Sequence, residues 1–230
     1  MHGAQAELVR VPLADYTLVR KPKSLSSEIA LLLGDILSTG YFCAEQAGIE
    51  GEEVQVVVGC GPVGLMSIWA ARKMGARHIY AIDAIPERLA MAKAWGAIPI
   101  NYQEQQPVEI IQEATHGRGA DVALEAVGSA GATRSAYELL RPGGVLSAVG
   151  VNTAPYLSFN PVEAYNKNIT YKIGRCPARA YIEKLMPQAA ADEALLSAVF
   201  THHYDLAQGK EAYDLFASRQ DNCIKVFLSV

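Results

Sequence analysis

The sequence predicts an α/β protein with a doubly wound, parallel, six-stranded sheet, and two observations carry that prediction. The middle of the chain alternates short β-branched runs with helical patterns, as right-handed βαβ crossovers require. A glycine-rich loop, Gly59-Cys60-Gly61-Pro62-Val63-Gly64, directly follows the first of those runs and opens a helix. Six strands in two halves, with such a loop after the first strand, indicate the Rossmann arrangement.

Each element of the alternation follows from its local pattern. Val54–Val58 is an apolar run interrupted only by Gln55, which is typical of a strand buried on both faces. Pro62 suits the first turn of the next helix, because N–H groups there have no acceptor within the helix and proline lacks an N–H. Gly75 is a typical residue to end that helix. The remaining strands are expected at His78–Ile82, Ala97–Ile100, Asp121–Ala126, Val145–Val149 and Ile169–Ile173. The remaining helices of this region are expected at Pro86–Trp95, Val108–Thr115 and Thr133–Leu140.

Both ends of the chain differ from the middle. Extended segments are predicted at Ala6–Val11 and Tyr16–Val19. Residues 26–48 have a helical pattern with interruptions near Gly34 and Gly40. The C-terminal end is expected to contain helices at Ala180–Ala191 and Leu206–Phe216, a segment between them at Ala198–Tyr204, and a final apolar run at Cys223–Leu228.

Composition and charge exclude several classes of partner. Half of the 230 residues are hydrophobic, the net charge is −4 and no run of Lys and Arg occurs, so nucleic acid and anionic membranes are not expected partners. The four cysteines form no C-x-x-C pair, which argues against a disulfide framework and a structural zinc knuckle. The sequence shows neither a transmembrane run of about 18 apolar residues nor a signal peptide. We therefore expect a cytoplasmic protein.

The glycine loop carries the predicted chemistry. Gly59 permits the tight turn, Gly61 lets the backbone approach phosphates, and Gly64 lets helix and strand pack closely. The helix that begins at Pro62 and Val63 offers free N–H groups and a partial positive charge. The loop therefore predicts a binding site for the pyrophosphate of a dinucleotide. Cys60, at the variable position between the first two glycines, is interpreted as a small side chain that fills space and not as a reactive thiol.

Asp83 selects among dinucleotides. It ends the second strand, 19 residues after Gly64, where its carboxylate can accept both hydroxyls of the adenosine ribose. A 2′-phosphate would be repelled, so NAD is predicted rather than NADP. Arg88 is the nearest cation, one helical turn further on, and is included among the cofactor-binding candidates. The alternative ligand is S-adenosylmethionine, because methyltransferases of similar topology also place an acidic residue there; the loop here has the dehydrogenase form.

Segments spread along nearly the whole chain carry a family resemblance. They are Gln5–Pro12, Leu33–Tyr41, Glu125–Gly128, Ala148–Val151, Thr201–Tyr204, Glu211–Tyr213 and Ile224–Val226. In these segments and in the glycine loop, the chain resembles the C-terminal two-thirds of a zinc-dependent, medium-chain alcohol dehydrogenase. The presence of Asp35 is most similar to the formaldehyde-dehydrogenase-like branch of that family.

The resemblance implies a reaction and a role for individual residues. In that family a hydride passes between an alcohol or aldehyde carbon and the nicotinamide of NAD, and a catalytic zinc polarises the substrate oxygen. By resemblance, Asp35 takes the place of the last zinc ligand and Thr39 contacts the nicotinamide. Also by resemblance, the residues that line or contact the cofactor include Val127, Gly128, Val149, Val151 and Lys225.

The resemblance also divides the chain and implies a partner. Residues 1–47 are expected to be a remnant of the catalytic domain with a linking helix, residues 48–176 the NAD-binding domain, and residues 177–230 a C-terminal segment that packs back on the catalytic-domain side. In the family, cofactor domains pair through the last strand of the sheet. We therefore expect a homo-oligomer, a dimer through residues 169–173.

The zinc site is where the sequence departs from the family. The other ligands of the family, a cysteine and a histidine with a neighbouring glutamate, lie upstream of anything present here, so zinc is expected to be absent or incomplete. His202 and His203 are adjacent in a predicted strand and point to opposite faces. Without those ligands the favoured role of Asp35 is to cap a helix, whereas Lys225 can equally be a solvated charge. Two functions stay open: an alcohol-dehydrogenase-like oxidoreductase, or a non-catalytic, truncated NAD-binding module.

Overall fold

Strands and helices alternate along the part of the chain that the computed structural model describes, residues 4–218 and 220–230. The strands β1 to β8 span Val54–Val58, His78–Asp83, Ile98–Asn101, Ala120–Glu125, Leu140–Ala148, Thr170–Ile173, Phe200–Asp205 and Lys225–Ser229. The helices α1 to α11 span Ala14–Thr17, Ser27–Leu33, Ile36–Ala47, Pro62–Lys73, Pro86–Ala94, Pro107–Ala114, Ala130–Leu139, Pro161–Lys167, Ala178–Ala191, Glu193–Ser197 and Gly209–Ser218. The chain divides into two units: Ile36–Cys176, and the described residues up to Asp35 together with Pro177–Val230.

The larger unit is built on a six-stranded parallel sheet with the strand order β3-β2-β1-β4-β5-β6. β1 pairs with β2 on one side and with β4 on the other, so the direction of winding reverses next to β1. Open α/β sheets bind their ligands outside the carboxyl ends of the strands at this reversal. The predicted fold class and its six strands are confirmed, although β5 begins at Leu140 rather than at Val145, with a register shift against β4.

The two central strands of this sheet are buried. Every residue of β4 is buried, and so is every residue of β1 except Val54. Such burial requires cover on both faces of the sheet. The helices α3, α4 and α7 all contact β4 and supply that cover. The two strands whose ends lie beside the glycine loop are therefore packed between helices.

Helices α3 and α4 pack closely where Gly40 faces Met66. A Cβ atom on Gly40 would lie 2.5 Å from the Cβ of Met66 and 2.7 Å from the backbone nitrogen of Ser67. Because no side chain fits in this space, glycine at position 40 permits the helix contact and does not interrupt the helix. The predicted interruption is thus wrong at Gly40, and it is confirmed near Gly34, which lies between α2 and α3.

The smaller unit contains a helical group and a two-stranded sheet. The helix α2 contacts α9 and α10 through a face on which Ile29 and Leu32 are fully buried. Strands β7 and β8 pair in parallel, and α11 packs on both. The predicted helix at residues 180–191 is confirmed as α9. The predicted helix at residues 206–216 is confirmed as a 3₁₀ turn, Leu206–Gln208, followed by α11.

Neither of the two segments predicted to be extended near the N-terminus lies in a strand. Ala6–Val11 has no regular secondary structure, and the prediction for Tyr16–Val19 is wrong at Tyr16 and Thr17, which belong to α1, a single helical turn. A segment joins a sheet only where a neighbouring strand pairs its backbone donors and acceptors. Leu8 and Tyr16 are 91% and 80% exposed, so within the described residues these segments bury no apolar face that would hold them against a partner strand.

Helix length and apolarity were also compared with those of membrane spans. Within residues 4–218 and 220–230, no single helix is long and apolar enough to cross a membrane. Taken together as a bent pair, α2 and α3 are long and apolar enough to cross one, judged by length and composition only.

We predict that Gly40→Ala destabilises the protein, because the added methyl group would overlap the backbone and Cβ of α4. Overpacking of this kind costs about 1–3 kcal/mol of unfolding free energy. Gly131→Ala is the matched control: Gly131 also lies in a helix, and no atom lies within 4 Å of an added Cβ. The control should leave the unfolding free energy unchanged or raise it by up to about 1 kcal/mol. Equal stabilities of the two variants in urea unfolding would contradict the close contact.

Candidate functional site

The glycine loop joins the carboxyl end of β1 to the first turn of α4. Gly59 adopts a left-handed conformation with φ +89°, and a Cβ there would collide with Cγ2 of Val127. A Cβ on Gly64 would collide with the carbonyl oxygen of Gly59. Glycine is therefore required at both positions, at the first by backbone conformation and at both by the closeness of the neighbouring chain. The roles predicted for these two glycines agree with this geometry.

The start of α4 provides hydrogen-bond donors that the helix itself does not use. Gly61 is the N-cap residue and Pro62 occupies the first turn. The first-turn amides of Val63 and Gly64 have no acceptor within the helix, because the residues four positions earlier lie outside it. They add to the positive end of the helix dipole. This end of the helix is therefore suited to bind an anionic group such as a phosphate.

Asp83 ends β2 and binds the backbone on both sides of the site. Its Oδ2 accepts a hydrogen bond from the Cys60 N–H at 2.7 Å. Its Oδ1 accepts from the N–H groups of Ala84 at 2.7 Å and Ile85 at 3.0 Å. The carboxylate is buried. Asp83 thus fixes the glycine loop to the turn after β2, a structural role that the sequence pattern did not reveal.

Arg88 lies closer to the loop than its position on α5 suggested. Its Nη1 is 3.8 Å from Oδ2 of Asp83, and the same atom would be 3.7 Å from a Cβ on Gly61. The side chain is 16% exposed, and its buried Nε has no hydrogen-bond partner among the described residues. The guanidinium group therefore provides a cation with unused donor capacity beside the loop.

The turns after β4 and β5 complete this edge of the sheet. Gly128 has φ +81°, and a Cβ there would lie 2.5 Å from the backbone nitrogen of Val151. Val149 follows β5 directly and donates its N–H to the carbonyl of Glu125 at 3.0 Å. Val127 and Val151 are 49% and 74% exposed. These two valines leave apolar surface open at the same edge as the phosphate-binding turn.

Glu125 is a site residue that the sequence analysis did not single out. It is the last residue of β4 and is 1% exposed. Its Oε1 accepts hydrogen bonds from the N–H groups of Val127 and Gly128, both at 2.7 Å. Burial raises the pKa of its carboxyl group, against the opposing effect of these two hydrogen bonds. The available sequence signal was an acidic residue at the end of a strand that is predicted to be buried.

The two cysteines near the sheet are buried thiols. Burial, reinforced by the charge of Asp83, raises the pKa of Cys60. Burial also raises the pKa of Cys43 to about 12. A thiol with a raised pKa is a poor nucleophile and a poor metal ligand at neutral pH. This agrees with the interpretation of Cys60 as a small filler of the loop.

The remaining predicted residues lie in both units. Thr39 is part of α3, in the unit that contains the sheet. Asp35 follows α2 in the other unit, and its N–H donates to the carbonyl of Leu32 at 3.3 Å. Lys225 begins β8 in that same unit. Burial lowers the pKa of Lys225, while the charge of Asp35 raises it.

The residues that could bind a metal do not form a zinc site. Among residues 4–218 and 220–230, no group of three or more His, Cys, Asp and Glu side chains is placed to hold a metal ion. His202 interacts with Asp221 at 3.2 Å, and His203 with Glu28 at 2.7 Å. A catalytic zinc needs three protein ligands. The described donors therefore do not fit the metal of the family that the sequence resembles.

Comparison with known proteins identifies the family. The family model described as zinc-binding dehydrogenase matches residues 62–191, which include the glycine loop from Pro62 onward, Asp83 and Glu125. This chain belongs to the zinc-binding dehydrogenase family. Membership agrees with the six-stranded sheet and with the position of the loop at the reversal of strand order.

Relatives of this zinc-binding dehydrogenase extend beyond the residues present here. Zinc-type alcohol dehydrogenase B of Aspergillus flavus is 37% identical over 224 residues, which cover 94% of this chain and 52% of that protein. An alcohol dehydrogenase of Cupriavidus necator is 34% identical over 229 residues, covering 97% of this chain and 62% of that protein. The solved structure of alcohol dehydrogenase TADH from Thermus sp. ATN1 matches with a TM-score of 0.93 and 40% identity, covering 99% of this chain and 66% of that chain. The chain thus spans between about half and two thirds of the length of these relatives.

Proposed function

We propose that this chain is the NAD(H)-binding part of an alcohol-dehydrogenase-like oxidoreductase, in which residues 48–176 bind the cofactor. One observation carries the proposal: the glycine loop, the free first-turn amides of α4 and the carboxylate of Asp83 lie together at the reversal of strand order. When bound, NAD supplies the acceptor or donor of a hydride. The segments 1–47 and 177–230 are proposed to belong to the catalytic-domain side.

The cofactor is proposed to lie across the carboxyl ends of the parallel strands. Its pyrophosphate would accept hydrogen bonds from the amides at the start of α4. The carboxylate of Asp83 would accept from the adenosine ribose, since its three backbone hydrogen bonds do not exhaust its lone pairs. Val127 and Val151 would cover apolar faces of the cofactor rings with surface that is now exposed. This arrangement supports NAD better than S-adenosylmethionine, which has no pyrophosphate.

The preference for NAD over NADP is proposed on charge. A 2′-phosphate on the adenosine ribose would lie next to the buried carboxylate of Asp83, where like charges repel strongly. Arg88 is the opposing charge, because its guanidinium group lies beside the loop. Its Nη1 lies 3.8 Å from Oδ2 of Asp83, so a 2′-phosphate could not reach the arginine without lying close to that carboxylate.

Two forms of the proposal differ in whether this chain turns over a substrate. In the first, it takes part in the oxidation of a small alcohol or the reduction of an aldehyde, as the names of its relatives suggest. In the second, it is a module that binds NAD without catalysis. We favour the second for the chain by itself, because among the described residues no group of three or more His, Cys, Asp and Glu side chains is placed to hold a metal ion. Asp35 also supports assignment to the formaldehyde-dehydrogenase-like branch.

The first test of the function uses Asp83→Asn with Glu109→Gln as the control. We predict that wild-type protein binds NADH and prefers it to NADPH, measured by fluorescence titration. Asp83→Asn should weaken NADH binding by about 10- to 100-fold, the value of one or two charge-assisted hydrogen bonds, and should narrow the preference over NADPH. Glu109→Gln removes the same charge from the exposed first turn of α6 and should change neither. An unchanged preference in Asp83→Asn would contradict the role of the carboxylate.

Metal analysis separates the two forms of the proposal. We predict that the purified chain binds NADH but contains less than stoichiometric zinc, because three ligands are needed and one carboxylate cannot replace them. Asp35→Asn should leave the zinc content unchanged, and the wild-type chain should form no NADH from NAD and an alcohol. One zinc per chain, removed by a chelator together with alcohol-dependent NADH formation, would instead establish the catalytic form.

We further propose that two copies of the chain associate through β6. This strand forms one edge of the six-stranded sheet, and Ile173 at its end is 57% exposed. An edge strand offers unpaired backbone groups to another chain, and an isologous contact joins two such edges about a two-fold axis. The result is one continuous sheet across the dimer.

Light scattering tests this association. We predict a particle of about twice the chain mass of 24.8 kDa for the wild type. Ile173→Lys should shift it toward the monomer, because the substitution places a charge and its symmetry copy at the contact. Ile98→Lys is the control, since Ile98 is 46% exposed on β3, the opposite edge of the sheet. Loss of the dimer in the control, or a monomeric wild type, would contradict association through β6.

A further inference from the structure

We propose that Glu125 is a positioning residue for the cofactor: its carboxyl group and its carbonyl group together fix the turns after β4 and β5, against which the dinucleotide lies. This inference deepens the proposed function and rests on it. Glu125 cannot contact the cofactor directly, because it is 1% exposed. Its effect must therefore pass through the backbone that it holds.

The side chain of Glu125 determines the shape of the turn after β4. One oxygen, Oε1, accepts from two successive amides, those of Val127 and Gly128, at 2.7 Å each. This pairing requires the chain to curl around the end of its own strand, and Gly128 allows the curl through φ +81°. An apolar side chain at position 125 would leave these two part-buried amides without their acceptor, so the turn would no longer be held in this shape.

The backbone of Glu125 holds the second turn. Its carbonyl oxygen accepts from the N–H groups of Val149 at 3.0 Å and Gly150 at 3.3 Å, just beyond β5. The two turns also touch directly, because a Cβ on Gly150 would collide with the backbone of Gly128. A shift in the turn after β4 therefore displaces the turn after β5 as well.

The same contacts extend to the phosphate-binding loop. The Cγ2 atom of Val127 lies where a Cβ of Gly59 would be, so the turn after β4 packs directly on the turn after β1. The exposed surface of Val127 then lies beside the loop that would bind the pyrophosphate. Releasing the carboxyl contacts of Glu125 would free Val127 to move, with loss of cofactor affinity but without loss of the sheet.

The comparison that tests this inference uses two buried carboxylates at opposite ends of one strand. Asp121, near the start of β4, is 9% exposed, accepts from the Val54 N–H at 2.8 Å and pairs with Arg141 at 2.5 Å. Its contacts resemble those of Glu125 in burial and in use of a backbone amide, but they lie away from the glycine loop. Asp121→Ala therefore controls for loss of stability alone.

We expect Glu125→Ala to weaken NADH binding by about tenfold or more, since two amides lose their acceptor. Asp121→Ala should lower the thermal midpoint by a similar amount yet leave NADH affinity within about twofold. Glu125→Gln keeps an oxygen that can accept from both amides, so it should restore NADH affinity to within about threefold of wild type. If Glu125→Ala does not fold, Glu125→Asp takes its place: the shorter side chain cannot reach both amides, and the same weakening is expected.

The possible results separate this inference from the function on which it rests. Wild-type protein that does not bind NADH would overturn the proposed function and the inference with it. Wild-type protein that binds NADH, together with Glu125→Ala of equal affinity, would overturn the inference alone. Equal losses of NADH affinity in Glu125→Ala and Asp121→Ala, or no recovery of affinity in Glu125→Gln, would also overturn the inference, because they would show that Glu125 contributes only to stability. Selective loss with rescue would establish positioning.

Discussion

The candidate site depends on how backbone amides are paired where the parallel strands end. An N–H group that is withdrawn from water without an acceptor costs about 1–3 kcal/mol. The turns after β2 and β4 both contain amides that need an acceptor. Asp83 accepts from three amides around the end of β2. Glu125 accepts from two beyond β4. These carboxylates fix the turns on either side of the glycine loop, and Asp83 also holds the loop itself through the Cys60 N–H.

The glycines complete that frame by allowing backbone to approach backbone. Gly59, Gly64 and Gly128 each lie where a Cβ would collide with the neighbouring chain. The polar groups of the site are thus pre-organised before any ligand arrives, while Val127 and Val151 leave apolar surface exposed. Ligand sites commonly combine a few fixed polar groups with apolar walls, and such pre-organisation reduces the ordering cost of binding.

Binding of a dinucleotide and use of its hydride make different demands on the chain. The features that fit NAD lie in residues 36–176, the unit that contains the six-stranded sheet. They are grouped at the carboxyl ends of its strands, beside the glycine loop. Metal-assisted hydride transfer needs several ligands held at fixed distances, and the described residues provide no such group. Family membership therefore gives the fold and suggests the chemistry, whereas the side chains present account for the cofactor more fully than for the metal.

The sequence by itself determined the sheet, the order of its elements and the position of the loop. These follow from the local spacing of apolar residues in strands and helices and from the placement of the glycines. It also identified Asp83, since an acidic residue at the end of the second strand has a defined place in the pattern. Only the tertiary structure decided the roles of Arg88, Glu125 and Gly40. Each depends on a contact with residues distant along the chain: Arg88 with the loop, the Glu125 carbonyl with the turn after β5, and Gly40 with α4. Tertiary contacts also decided that the N-terminal segments form no strand, because a strand exists only where another strand pairs with it.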